Sequence, residues 1–221
     1  INDELINKNA SVMFAADGPY LSTVEVKYIQ ADKVGLRLDG SSLAIDGNTT
    51  RFNENQIKFY AHTRPKNNVF LSLEGTLGDK IDYDNNRLGE LFDLTANITL
   101  NPNSHLEIDL YHTYSELEAK NENVYIANLT DLRLKYYFDV LSSLKLSIVY
   151  QDIDYNADNN PNNFYSETER SLSTQLIYSY RLNPQTVFFL GYSDTSFADD
   201  YIGSLKREQK TFFSKISYAW Q

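Results

Sequence analysis

The feature that most limits how this chain can fold is alternation. Residues 91–100, LFDLTANITL, place Phe92, Leu94, Ala96, Ile98 and Leu100 on one parity and Asp93, Thr95, Asn97 and Thr99 on the other. Strand side chains point alternately to opposite faces, so such a segment has one apolar and one polar face. The pattern recurs with Leu106, Ile108 and Leu110 against Glu107, Asp109 and Tyr111, and with Leu132, Leu134, Tyr136 and Phe138 against Asp131, Arg133, Lys135 and Asp139. It recurs again with Leu144, Leu146, Ile148 and Tyr150 against Lys145, Ser147 and Gln151. At the C-terminal end, Phe212, Ile216, Tyr218 and Trp220 oppose Lys215, Ser217 and Ala219. A strand of a soluble β-sandwich alternates too, so the decision rests on connections, length and charge.

From about residue 55 a hairpin unit recurs roughly every 40 residues. Short turns are expected at 63–68 (TRPKNN), 100–105 (LNPNSH), 139–144 (DVLSSL) and 181–186 (RLNPQT). Pro65, Pro102 and Pro184 fall in them, where a fixed φ and a missing donor do least harm. Longer polar connections are expected at 78–90, 118–123, 154–167 and 198–206, in strict alternation with the short ones. Short turns at one end and long loops at the other are the plan of an antiparallel up-and-down transmembrane β-barrel of the Gram-negative outer membrane. The last strand would then end on the short-turn side, which puts the C-terminus in the periplasm. Strands of about 10–15 residues, longer than the usual 5–6, and polar faces carrying both signs of charge favour this over the sandwich. Segments 11–16, 22–31 and 34–45 add three less certain strands. The expectation is an outer-membrane barrel domain over 1–221, irregular over 1–54 and regular over 55–221, with about 12 strands or the C-terminal part of a larger barrel.

Composition agrees. The 17 Tyr and 12 Phe point to strands. A net charge of −10 argues against nucleic acid, and the absence of cysteine removes disulfides and thiolate metal sites. No apolar run approaches the ~20 residues of a transmembrane helix. INDELINKNA has neither a basic nor an apolar signal region, so a leader has been removed or the chain is a piece of something longer.

Four blocks, LGDKIDYDNNRLGE (77–90), VYIANLTDLRLKYYFDVLSSLKLSIVYQDI (124–153), LSTQLIYSYRLNPQTVFFLGYSD (172–194) and KTFFSKISYAWQ (210–221), resemble one family. It comprises bacterial outer-membrane proteins with an N-terminal carbohydrate-binding, family-9-like domain followed by a barrel domain of unknown function. The resemblance covers about residues 55–221. It implies a barrel, an outer-membrane location and a longer parent protein, but no site residue and no activity.

The candidate site is the polar parity. Lys58, Glu74, Asp93, Glu107, Asp109, Arg133, Lys135, Lys145, Arg181 and Lys215 would line the lumen. Glu107 and Asp109 could pair with Arg133 and Lys135 in a salt-bridged plug, or the charges could line a selective aqueous path. Tyr136, Phe138, Tyr178, Tyr180, Tyr218 and Trp220 suit an aromatic girdle at the lipid boundary. His62, His105 and His112 show no converging spacing, so no metal or cofactor is expected. His112 with Ser214 is the one pair conceivable for a phospholipase, and no serine-nucleophile motif surrounds it. The acidic, amide-rich segments 152–163 and 193–201 read as solvated loops, with Ca²⁺ as the alternative. Tyr155, Phe164, Tyr165 and Tyr201 there could stack on sugars or a partner. The leading expectation is a passive channel, or the barrel part of a sugar-related uptake protein, without enzymatic activity. The alternative is a closed structural or docking barrel that binds a partner protein or surface glycan through its long loops, or a sheath around another protein. Expected partners are outer-membrane lipid and lipopolysaccharide, with a protein partner or the rest of a longer chain.

Overall fold

A computed structural model describes residues 7–37, 49–160, 166–183 and 186–218. Eleven strands follow one another: β1 (Asn7–Gly18), β2 (Ser22–Arg37), β3 (Thr49–Lys66), β4 (Val69–Asp82), β5 (Arg87–Asn103) and β6 (Leu106–Ala119). The rest are β7 (Glu122–Tyr137), β8 (Ser142–Tyr155), β9 (Thr168–Asn183), β10 (Thr186–Ala198) and β11 (Lys206–Tyr218). Each is hydrogen-bonded antiparallel to its chain neighbours in one sheet of order β1 to β11. The up-and-down antiparallel architecture is therefore as the alternation predicts. With an odd number of strands, the two edges β1 and β11 point the same way.

The expectation of about twelve strands is corrected to eleven among the described residues. The segment 34–45 is not a strand of its own. Val34 still pairs with Arg51 as part of β2, and the remainder, 38–48, lies outside the described residues.

The expected strict alternation of turn lengths also fails. At one end, connections of two to four residues join β1 to β2, β3 to β4, β5 to β6 and β7 to β8. These are staggered against one another: the Arg64 amide donates to Tyr20 O, that of Asn101 to Asn68 O, that of Tyr137 to His105 O and that of Arg181 to Leu141 O. At the other end, 78–90 is mostly strand, and only residues 83–86 turn. β6 and β7 are joined by two residues alone, Lys120 and Asn121, with φ of 58° and 64°. Positive φ at both central positions is the two-residue hairpin turn whose twist matches the flanking strands. Only the β8–β9 and β10–β11 connections are long among the described residues.

The sheet has two unlike faces. One carries Phe14, Phe212 and Ile216, which are 74%, 72% and 71% exposed, together with exposed Val12, Val24, Val26, Ile57, Leu73 and Leu190. A soluble monomer rarely exposes so extensive an apolar surface. The other face is polar, and near the long-loop end it holds the small buried cluster of Leu117, Ala119 and Val124, with Leu91 and Tyr125 packed against it.

Candidate functional site

Register decides which side chains share a face. On the β3–β4–β5 ladders Tyr60 pairs with Glu74, and Lys58 with Thr76, which pairs in turn with Asp93. On β6–β7 Asp109 lies opposite Arg133 and Glu107 opposite Lys135; on β7–β8 Lys135 lies opposite Lys145. Lys145 pairs with Ile177, two strand steps of two residues from Arg181, and Lys215 pairs with Phe189, which faces Ser179. Followed across the sheet, all ten predicted charges fall on the polar face. Among these ten, the acids Glu74, Asp93, Glu107 and Asp109 occupy β4–β6, and the bases other than Lys58 of β3, namely Arg133, Lys135, Lys145, Arg181 and Lys215, occupy β7–β11.

The expected plug of cross-strand salt bridges is not how these charges are held. Arg133 pairs instead with Asp131 of its own strand at 2.6 Å, Asp109 accepts a hydrogen bond from the Thr99 hydroxyl at 2.7 Å, and Lys135 lies over the Tyr137 ring at 4.5 Å. Side chains two apart on one strand share a face and are near enough for a long guanidinium to fold onto its neighbour. Direct opposition in register thus did not translate into ion pairing.

Glu25 and Lys27 of β2 are among the charges of this face that were missed. Lys27 lies directly opposite Lys58, and a recess of about 360 Å³ is lined by Glu25, Lys27, Lys58, Tyr60, Glu74 and Asp93. The alternation in STVEVKYIQA carries the signal, since Glu25 and Lys27 interrupt Val24, Val26 and Tyr28.

At the long-loop end the polar face is roofed. Segments 152–163 and 193–201 read as solvated loops, yet Asn159 and Asn160 are 6% and 4% exposed. The Asn159 amide donates to Ala119 O and Glu122 O at 2.9 Å and to Asn123 O at 3.2 Å, and that of Asn160 donates to Val124 O at 2.7 Å. Arg87, held by Asp82 at 2.8 Å, donates to Asn159 Oδ1 and O. Carbonyls left free at the β6–β7 hairpin are the reason this segment folds inward, because buried backbone acceptors need partners. Beside it, Glu54, 1% exposed, receives Lys33 at 2.5 Å and the Ile81 amide at 2.9 Å. That carboxylate replaces the ladder where β4 leaves β3 beyond Gly78, the last residue of β4 paired with Gln56. Among the described residues no cluster of three His, Asp or Glu suits a metal ion.

The opposite, apolar face has an aromatic belt at each end. Tyr136 and Phe138 meet at 5.1 Å and Phe138 and Tyr178 at 6.3 Å, with Tyr180 and Tyr218 on the same parity; Trp220 lies outside the described residues. The second belt escaped the sequence reading. Tyr114, Tyr150 and Tyr192 each donate a hydrogen bond to the acid two residues nearer the loops, Glu116 at 2.8 Å, Asp152 at 3.3 Å and Asp194 at 2.9 Å. Arg170 and Arg207 pair with Asp152 and Asp194 just beyond it. The signal was a repeated Tyr-x-acid on the apolar parity. Of the histidines, His62 packs at a tilt against Tyr60 and Phe70, His105 stacks on Tyr136, and His112 Nδ1 shares a hydrogen bond with the Thr130 hydroxyl at 2.9 Å. Ser214 is on β11, five strand steps from His112 in the sheet order.

Fold and site together define an all-β, up-and-down sheet with one apolar, belted face and one charged face. No family model matches the chain, so the resemblance assigns no family, and no curated protein matches it. Among solved structures the chain is similar to OmpT (in-vitro folded), an outer membrane protein of Vibrio cholerae, at 10% identity and a TM-score of 0.49, over 95% of this chain and 64% of that one. It is also similar to LpxR from Salmonella typhimurium, at 9% identity and a TM-score of 0.33, over 96% of this chain and 88% of that one. The chain thus spans less than two thirds of the OmpT chain.

Proposed function

We propose that this sheet is the wall of an outer-membrane β-barrel whose charged face borders an aqueous path for passive movement of small solutes. The observation that carries the reading is the split between faces. An apolar face with tyrosines and phenylalanines at both ends suits lipid, and the acids and bases beyond the second belt suit the headgroup region. Unpaired backbone groups cost several kcal/mol each in hydrocarbon, so the edges β1 and β11 must both be covered in the bilayer. The end bearing the short turns faces the periplasm in this reading, together with the C-terminal end of β11. Outer-membrane lipid is the partner of the apolar face. The sugar-related side of the reading rests on the family resemblance alone, and no covalent chemistry is assigned.

The test is single-channel conductance in a planar bilayer, using protein whose unboiled gel mobility reports a folded barrel. Open-channel steps with ion selectivity shifted by Lys135→Glu and Arg133→Glu are expected. A silent bilayer from folded protein would overturn the channel. The buried Asn159 and Asn160 segment favours that second reading, a closed barrel that docks a partner through its loops.

A further inference from the structure

We infer that the short-turn half of the polar face on β7–β11 binds small phosphate-bearing anions. This deepens the channel reading by naming a class of solute, and it rests on that face meeting water. Lys135 stands directly opposite Lys145. Like charges opposed across a ladder destabilise it, yet no carboxylate lies within 4 Å of Lys135, Lys145, Arg181 or Lys215 among the described residues. Lys145, Arg181 and Lys215 are exposed. Two acids of β6 stand opposite the wall, Glu107 across from Lys135 and Asp109 across from Arg133, and Asp131 on the wall itself is taken up by Arg133.

A recess of about 270 Å³ opens here, lined by Lys135, Ser143, Ser179, Arg181 and Asp139 among others. The Ser143 and Ser179 hydroxyls lie 2.8 Å apart, one donating to the other, which leaves lone pairs and a proton for a ligand. The Asp139 carboxylate at the rim has its Oδ1 engaged, accepting from the amides of Leu141 and Ser142 at 2.7 and 2.8 Å. Ammonium and guanidinium groups beside hydroxyl donors are the usual chemistry for a phosphoryl group. The acids on β4–β6 give the neighbouring part of the same face the opposite sign, so a mobile anion is drawn toward β7–β11.

The probe is inorganic pyrophosphate, titrated calorimetrically onto the folded protein in detergent at about 10 mM ionic strength, where screening extends about 30 Å. Saturable binding is expected, weakened about tenfold or more by Lys135→Gln/Lys145→Gln and about threefold by Arg181→Gln, since charge-assisted hydrogen bonds carry it. The charge-matched Lys80→Gln/Lys210→Gln pair lies off this wall and should leave binding unchanged. Absence of saturable binding, or an equal loss in both double variants, overturns the site. If the double variant fails to fold, Arg181→Gln decides: an unchanged affinity overturns the site. Binding in a protein that gives no conductance supports the site and removes the channel; conductance without pyrophosphate binding does the reverse.

Discussion

Arg87 holds Asn159, 72 residues further along the chain, by two hydrogen bonds, one to its side-chain oxygen at 2.8 Å and one to its backbone carbonyl at 2.5 Å. The Asn159 amide in turn serves three carbonyls of the β6–β7 hairpin, so the segment after β8 is tied down rather than draped. Asn159→Ala leaves those three acceptors without the amide and removes one of the two Arg87 bonds, the one to the side-chain oxygen. At about 1 kcal/mol net per bond, the local loss is about 2–3 kcal/mol. Hydrogen exchange of the 156–160 backbone should accelerate by roughly 30- to 150-fold, because protection there reports local opening. Unchanged exchange would mean that the inward fold is held by something other than this amide.

Two glycines make a paired prediction. A Cβ on Gly191 would stand 2.2 Å from the Phe213 ring and meet no backbone atom nearer, whereas one on Gly75 would meet both the Phe59 ring and the Asp93 carbonyl at 2.6 Å. Gly191→Ala should therefore cost about 1–3 kcal/mol by overpacking and be rescued by Phe213→Ala. Gly75→Ala should be poorly rescued by Phe59→Ala, because the carbonyl stays. Urea midpoints of the refolded variants measure both, and equal rescue at the two sites would contradict the geometry.

Much of this arrangement was legible in the alternation. Lys58 and Lys215 lie eight strands apart, yet parity alone placed them on one face, because a period of two carries through every antiparallel ladder. Strand ends were not legible. Asp79, Asp82 and Glu118 sit inside strands, but their polarity resembles that of loops, since a strand continuing past its apolar stretch has no reason to keep the pattern. The Lys120–Asn121 turn lacks the glycine that usually marks positive φ. The pairing of Arg133 with Asp131 rather than Asp109 depends on rotamers, and the burial of Asn159 depends on carbonyls of a hairpin distant in sequence. Neither has a local signature.

The β7–β8 turn gives a pH prediction. The Leu141 amide, then the Ser142 hydroxyl and amide, hold the Asp139 carboxyl below the usual aspartate range. A folded value below the unfolded one means that the turn's contribution is complete above the unfolded value of about 3.9 and is lost as pH falls through the folded value. The amide resonances of Leu141 and Ser142 should titrate together with a midpoint below about 3.9. Asp139→Asn should abolish that titration while keeping an acceptor for the same amides. A midpoint at or above the ordinary value would contradict the turn geometry.

The assignment of faces can be tested with two neighbouring residues. Leu146 lies on the apolar face, opposite Leu134 and Leu176, and Ser147 on the polar face, opposite Arg133 and Gln175. In a bilayer, arginine at the midplane of a lipid-facing strand costs about 2–4 kcal/mol, while a polar, wetted wall accepts it within about 0.5 kcal/mol. Leu146→Arg should therefore lower the urea midpoint of vesicle-inserted protein markedly, and Ser147→Arg should leave it nearly unchanged. If the apolar face met water instead, an arginine at 146 would be solvated and both variants would unfold alike. A larger loss at Ser147 than at Leu146 would invert the faces altogether, and the charged wall of β7–β11 would then look toward lipid.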